Sequence, residues 1–135
     1  MALKTKHSEA IYCECCKKFI TKYYTMDAKK HPIINGISFP CVLHESYCLD
    51  CGCAIDVPKY VKKDKLKVSD MYRRKVGWLT RKELLDLNGY MSLEQINLKT
   101  KISILRLKLI IDGEIQTENE EKRLRKLYSE YVKKL

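Results

Sequence analysis

Six of the seven cysteines in this 135-residue chain lie in two short runs, Cys13-Glu-Cys15-Cys16 and Cys48-Leu-Asp-Cys51-Gly52-Cys53, and none follows. Two cysteines separated by two residues let one tight turn direct both sulfurs at a single ion. Four thiolates from two such turns make the tetrahedral shell that zinc takes in structural sites. Cys13 with Cys16, and Cys48 with Cys51, have that spacing. Gly52 follows the second pair, where a knuckle turn needs backbone conformations that glycine reaches without strain. The expected site is therefore a zinc ribbon closed by Cys13, Cys16, Cys48 and Cys51. Cys15 and Cys53 offer competing pairs at both knuckles, and His31 and His44 lie between them. Cys41 stands apart and reads as a small buried residue.

In a secreted chain the same cysteines would form a disulfide framework. Residues Met1 to Ala10 are polar and lack the apolar run of a signal peptide. No stretch approaches the roughly 20 apolar residues of a membrane span, and seven cysteines leave one over from any internal pairing. A cytoplasmic protein without membrane contact is expected, with its thiols used for metal. A ribbon of about 55 residues buries only about 60% of its unfolded surface, so it needs such a staple. Four thiolates also close the coordination shell, leaving no position for a reactive water. The chain has no H-E-x-x-H pattern and no His-x-Glu paired with P-C-x-x-C. The zinc is expected to be structural, and the chain is not expected to be an enzyme.

The rest of the sequence predicts an α+β protein, a small β-rich ribbon followed by an all-α domain. Phe19 to Met26 is rich in aromatic and β-branched residues and reads as extended. Asn35-Gly36 marks a tight hairpin, and Pro40 splits the following run or confines it to a sheet edge. After Pro58 the spacing becomes helical, and Gly77 stops the first helix. Thr80 and Glu83 form a capping box for a second helix, which Asn88-Gly89 is expected to close. Ser92 and Ser103 offer caps for two more helices, Asp112-Gly113 stops the latter, and a last helix begins near Glu118. These signals divide the chain into a zinc ribbon over 1–58, a linker helix over 59–76 and a helical domain over 77–135.

Charge divides the chain in the same way. Residues 59–135 hold 20 Lys/Arg against 11 Asp/Glu, about +9 of the net +10. A basic half beside a near-neutral half points to a polyanion, with nucleic acid the usual candidate. Residues 93–112 have helix-turn-helix spacing, with Ile96, Ile102, Leu107 and Ile110 where the helices must pack. Ser103 would cap the helix that enters the major groove. Ser103, Ile104, Arg106 and Lys108 are then the candidate DNA contacts, with Lys99 and Lys101 added for phosphates. Arg106 is the candidate for a base edge, while Ile104 and Leu105 suit thymine methyls.

The order of ribbon, linker and helix-turn-helix resembles a known family. The residues that carry the likeness are the two knuckles and the linker Tyr72-Arg-Arg-Lys-Val-Gly77-Trp-Leu79-Thr80. They resemble antitoxin-type transcription regulators of bacteria and phages, which join an N-terminal YgiT/MqsA-like zinc finger to a lambda-repressor-like (Xre) helix-turn-helix. The resemblance covers roughly residues 11–115. It implies a cytoplasmic homodimer that represses by binding double-stranded operator DNA, often beside a toxin that serves as protein partner. Such regulators usually carry Gln, a small residue and Gly where this chain has Leu93, Asn97 and Lys101. The helix after Ser103 is also unusually apolar. The alternative on the same fold is a protein-binding module, a toxin-neutralising protein or a phage inhibitor of a host nucleoprotein. Exposure of Leu105 and Leu109 would favour it.

Overall fold

The computed structural model describes residues 3–6, as backbone, and residues 10–132. It is α+β, with eight short strands followed by five helices among those residues, arranged as two compact units. The division falls after Lys65, inside the first helix, α1 (Pro58–Val76).

The first unit is built on a long hairpin. Strands β4 (Tyr23–Lys30) and β7 (Cys41–Cys48) pair antiparallel over eight positions, from Tyr23 opposite Cys48 to Lys30 opposite Cys41. Thr25 and Ser46 face each other in this ladder, and their buried hydroxyls satisfy one another at 2.9 Å. Strand β1 (Leu3–Lys6) extends the sheet beside β4, and β8 (Ala54–Ile55) extends it beside β7. The polar N-terminal residues give no sign of that edge strand.

The hairpin's far end carries β5 (Ile33–Ile34) and β6 (Ile37–Ser38), joined by Asn35 and Gly36 with φ of 49° and 78°. Two consecutive positive φ values are what Asn-Gly allows at such a turn. Pro40 separates β6 from β7, as its missing N–H requires. Strands β2 (Ile11–Cys13) and β3 (Lys18–Ile20) form a separate small hairpin.

Ile11, Ile20, Tyr23, Ile55, Val57 and Tyr60 form the ribbon's core around the buried Cys13 and Cys48. Tyr60, on the first turn of α1, stacks on the His44 ring at 4.5 Å. Asp64, one turn later, takes both the His44 backbone N–H at 2.9 Å and its ring Nδ1 at 2.7 Å. The start of α1 is thereby fastened to β7.

The second unit begins in the rest of α1 and continues through α2 (Arg81–Tyr90), α3 (Leu93–Thr100), α4 (Ile104–Ile111) and α5 (Glu118–Tyr131). Leu79, Leu84, Leu87, Met91, Ile96, Ile102, Leu107, Ile110, Leu124 and Leu127 make one apolar core. Gly77 ends α1 at φ 76°, and the Trp78 N–H reaches back to the Arg73 carbonyl at 2.7 Å. Helix α2 carries the expected Thr80–Glu83 capping box. It does not close at Asn88-Gly89, however, and runs on to Tyr90. The Met91 N–H still bonds the Leu87 carbonyl, and Met91 is buried in the core. That burial outweighs the roughly 1 kcal/mol that glycine costs inside a helix.

Arg73 lies at the centre of the unit with its side chain 0% exposed. It donates to Gln116 Oε1 at 2.9 Å, the Ile110 carbonyl at 2.8 Å, the Glu114 carbonyl at 2.7 Å and Asp70 at 3.0 Å. Gln116 donates in turn to the Leu79 carbonyl and to Glu121 at 3.1 Å, and Glu121 accepts the Leu79 N–H at 3.0 Å. Burial pushes the Arg73 pKa down, with the Asp70 hydrogen bond and charge opposing it. Helix α1 is therefore shared between the units. Tyr60 and Asp64 serve the ribbon, while Arg73 serves the helices.

Candidate functional site

The two knuckles have the same backbone. In the first, the Lys17 N–H bonds the Cys13 carbonyl at 2.7 Å and Lys17 is left-handed at φ 55°. In the second, the Gly52 N–H bonds the Cys48 carbonyl at 2.9 Å and Gly52 has φ 76°. Each turn closes four residues after its first cysteine, so each pair of sulfurs faces inward. Register completes the cluster, because Cys48 ends β7 and Cys13 ends β2.

The four sulfurs of Cys13, Cys16, Cys48 and Cys51 lie within 4.8 Å of one another, close enough to hold one metal ion. The Cys13–Cys51 and Cys16–Cys48 sulfurs are 3.5 and 3.8 Å apart. A tetrahedron with arms of about 2.3 Å has edges of about 3.8 Å, so the cluster fits a tetrathiolate ion. Cys13 and Cys48 are buried and Cys16 is half-buried, while Cys51 is the exposed corner.

Protonation follows from the same contacts. The Cys16 N–H, 3.5 Å from the Cys13 sulfur, is the main cause that brings Cys13 down to about 7. Cys16 is pushed up to about 12, first by its hydrogen bond to Cys51 and then by burial. Thiols this close cannot all ionise without a cation among them, and a bound ion would take the place of their protons.

The competing cysteines are paired with each other. Cys15 and Cys53 form a disulfide that links the two knuckles, which leaves the other four as the cluster. Neither histidine joins it: His44 is held by Asp64 and Tyr60, and His31 is exposed away from any metal-sized group among the described residues. Cys41 is buried, in keeping with its isolation in the sequence.

The second candidate site is the turn between α3 and α4. Only Lys101, Ile102 and Ser103 separate the two helices. Lys101 is left-handed at φ 64°, in the place where the resembling regulators carry Gly. Asn97, in place of a small residue, donates to the Ile102 carbonyl at 2.7 Å. The Thr100 hydroxyl donates to the Ile96 carbonyl at 2.7 Å and accepts the Ile102 N–H at 3.3 Å. Ile96, Ile102, Leu107 and Ile110 are all buried. Ser103 caps α4 by accepting the Arg106 N–H at 3.1 Å.

The expected DNA contacts are not all presented alike. Lys101, Ser103 and Lys108 are exposed and Ile104 is half-buried. Leu105 and Leu109 are 70% and 43% exposed, and Leu98 on α3 is 71% exposed. Arg106, expected to reach a base edge, is instead turned toward the protein. Its Nε and Nη2 grip Glu120 at 2.9 and 3.0 Å, and Nη2 also donates to the Ile115 carbonyl at 3.1 Å. Glu120 is absent from the sequence-predicted site residues, although it closes a Thr117–Glu120 capping box that the sequence displays openly. Lys99 lies over the Tyr131 ring at 5.2 Å. It lines a shallow cavity of about 230 Å³ with Arg123 and Lys126 of α5.

No family model matches this chain, and no curated protein or solved structure matches it either. No helix among the described residues is long and apolar enough to cross a membrane.

Proposed function

We propose that the protein is a DNA-binding transcriptional regulator of the antitoxin-like repressor type. The observation that carries this reading is the three-residue turn, entered through a left-handed Lys101, between α3 and α4 with the outer side of α4 exposed. In this proposal α4 enters the major groove of operator DNA. Ser103 and the exposed Lys101 and Lys108 meet phosphates, and Ile104 and Leu105 touch thymine methyls. The concentration of positive charge in residues 59–135 supports the same partner. A homodimer would place two such helices on a two-fold operator.

The ribbon, in the same proposal, is held by one structural zinc on Cys13, Cys16, Cys48 and Cys51, and it faces a protein partner or the second subunit. Four thiolates at tetrahedral spacing are the soft donor set that selects zinc. When bound, the ion closes the two knuckles on each other and offers no open position for chemistry.

A second reading is favoured by Leu98, Leu105 and Leu109, which expose more apolar surface than DNA contact needs. In it, α3 and α4 dock a protein and read no sequence. One mobility-shift series separates the two. Full-length protein is titrated against the DNA upstream of its own gene and against random DNA, across salt concentrations. The regulator shifts its own DNA more tightly, and Lys101→Ala with Lys108→Ala lowers the salt slope by about 1 for each phosphate that is no longer neutralised. Absence of any shift at low salt refutes DNA binding and leaves the docking module.

A further inference from the structure

The cysteine cluster has more sulfur than one ion uses. Cys15, Cys51 and Cys53 also lie with their sulfurs within 4.8 Å of one another, and Cys51 belongs to both groups. We propose that these three cysteines form a second, redox-gated position for a soft metal ion, joined to the first by a bridging Cys51 thiolate. The proposal rests on the four-cysteine site above and extends it.

Three features of the site point to this. Cys51 is the exposed corner of the first group and is common to both groups, so it is the residue through which an outer ion can be reached from solvent. Cys15 is exposed and Cys53 half-buried, on the same side as that corner. The chain order fixes both in place. Cys15 sits inside the first knuckle turn, and the Cys53 carbonyl accepts the Cys48 N–H at 2.9 Å. Thiolate sulfur bridges soft ions readily, and zinc and copper(I) are the ions such donors select. Three protein sulfurs leave a fourth position to solvent, so the outer ion would exchange more easily than the inner one.

Charge runs the same way. Six thiolates around one divalent ion carry a net −4, whereas two ions reduce that to −2. In the oxidised state the Cys15–Cys53 disulfide removes two of the six thiolates, and the single inner ion suffices.

The gating step balances as a thiol–disulfide exchange. An external dithiol attacks the exposed Cys15–Cys53 bond, which breaks as the dithiol becomes a disulfide. Two electrons and two protons pass to Cys15 and Cys53. When a divalent ion enters, those two protons are released and two metal–sulfur bonds form, with Cys51 supplying the third. Oxidation reverses the sequence and expels the outer ion.

The test is a metal count on the full-length protein by native mass spectrometry, with zinc in excess. One sample is reduced with a phosphine, which brings no thiols of its own, and one is oxidised. Two zinc ions per reduced chain, one per oxidised chain, and one in both states for Cys15→Ser and Cys53→Ser are expected. Cadmium NMR of the reduced protein should then show two coupled metal nuclei, the signature of a shared sulfur. A single zinc in the reduced wild type overturns the second position, as does a second zinc that survives Cys15→Ser. No zinc in any sample overturns the four-cysteine reading itself, and the second position with it.

Discussion

Replacing Arg73 with methionine should remove the central fastening of the helical unit. Methionine keeps an unbranched apolar stem packed in place of the arginine's, but it lacks the guanidinium and donates nothing. Three charge-assisted bonds are then lost, to Gln116 Oε1 and to the carbonyls of Ile110 and Glu114, although the Ile110 carbonyl keeps the Gly113 N–H at 3.2 Å. A hydrogen bond from a charged donor contributes about 1.5–3 kcal/mol. Asp70 suffers less, because it is partly exposed and keeps the Arg81 N–H at 2.8 Å. Against these costs stands that of holding a guanidinium out of water, which the substitution relieves.

The balance is a destabilisation of about 3–5 kcal/mol, a large part of the 5–15 kcal/mol that a domain has in total. Trp78, the only tryptophan, packs edge-on against Tyr72 at 5.9 Å and reports on this unit. Urea denaturation followed by Trp78 fluorescence should lose about 2–5 M in midpoint, taking a slope of about 1–1.5 kcal/mol per M. Metal content should be unchanged, since every ligand cysteine lies in the other unit. Arg73→Lys keeps the charge but not the fork, and should fall between the two. A midpoint within about 0.5 M of wild type for Arg73→Met would refute the reasoning, because it would mean the three lost bonds carry no stability.

Two further outcomes follow from single backbone and charge contacts. Lys101→Gly should stabilise the helical unit by about 0.5–1 kcal/mol, since glycine reaches φ 64° without the side-chain clash that lysine bears there. A drop in the same urea midpoint would show that the turn is not strained. Glu120 is held below the usual glutamate pKa, chiefly by its hydrogen bonds to Arg106. A depressed carboxylate adds stability that is present above its unfolded pKa of about 4.3 and is lost as pH falls through its folded value. Wild type should therefore lose more stability than Glu120→Gln between about pH 5 and pH 3. Parallel pH profiles for the two proteins would rule out the ion pair as a source of that stability.

Local signals in the sequence identify most of the elements. Caps at Thr80, Ser92 and Ser103, the Asn35-Gly36 turn and the break at Pro40 act through a few neighbouring residues, and each appears where local chemistry puts it. The four-cysteine cluster is legible for the same reason, since each knuckle is one turn long. Three features depend on distant partners and are not. The helical run through Gly89 reflects Met91's place in a core assembled from four helices, α2 to α5. Strand β1 pairs through its backbone with β4, which lies about twenty residues away in the chain. The fate of Cys15 and Cys53 depends on the two knuckles meeting, which spacing within either knuckle does not encode.

Arg106 shows how far this limit reaches into function. By sequence it is the one guanidinium on the helix that would enter DNA, and Arg is the usual reader of guanine. In the fold it faces α5, where Glu120 must lie because it also closes the Thr117 cap. A carboxylate already fixed by one motif thus becomes the partner of an arginine from another. Releasing Arg106 to a base would break two charge-assisted bonds and a third to the Ile115 carbonyl, each worth about 1.5–3 kcal/mol. A bidentate guanine contact discriminates against a wrong base by about 1–3 kcal/mol, about what one of those bonds contributes. The helix is then left with Ile104, Leu105 and Lys108, which favour thymine methyls and phosphates over guanine. In the DNA-binding reading α4 is a thymine-contacting helix, and Leu105, 70% exposed, serves both readings, whereas Leu98 and Leu109 belong to the docking reading alone.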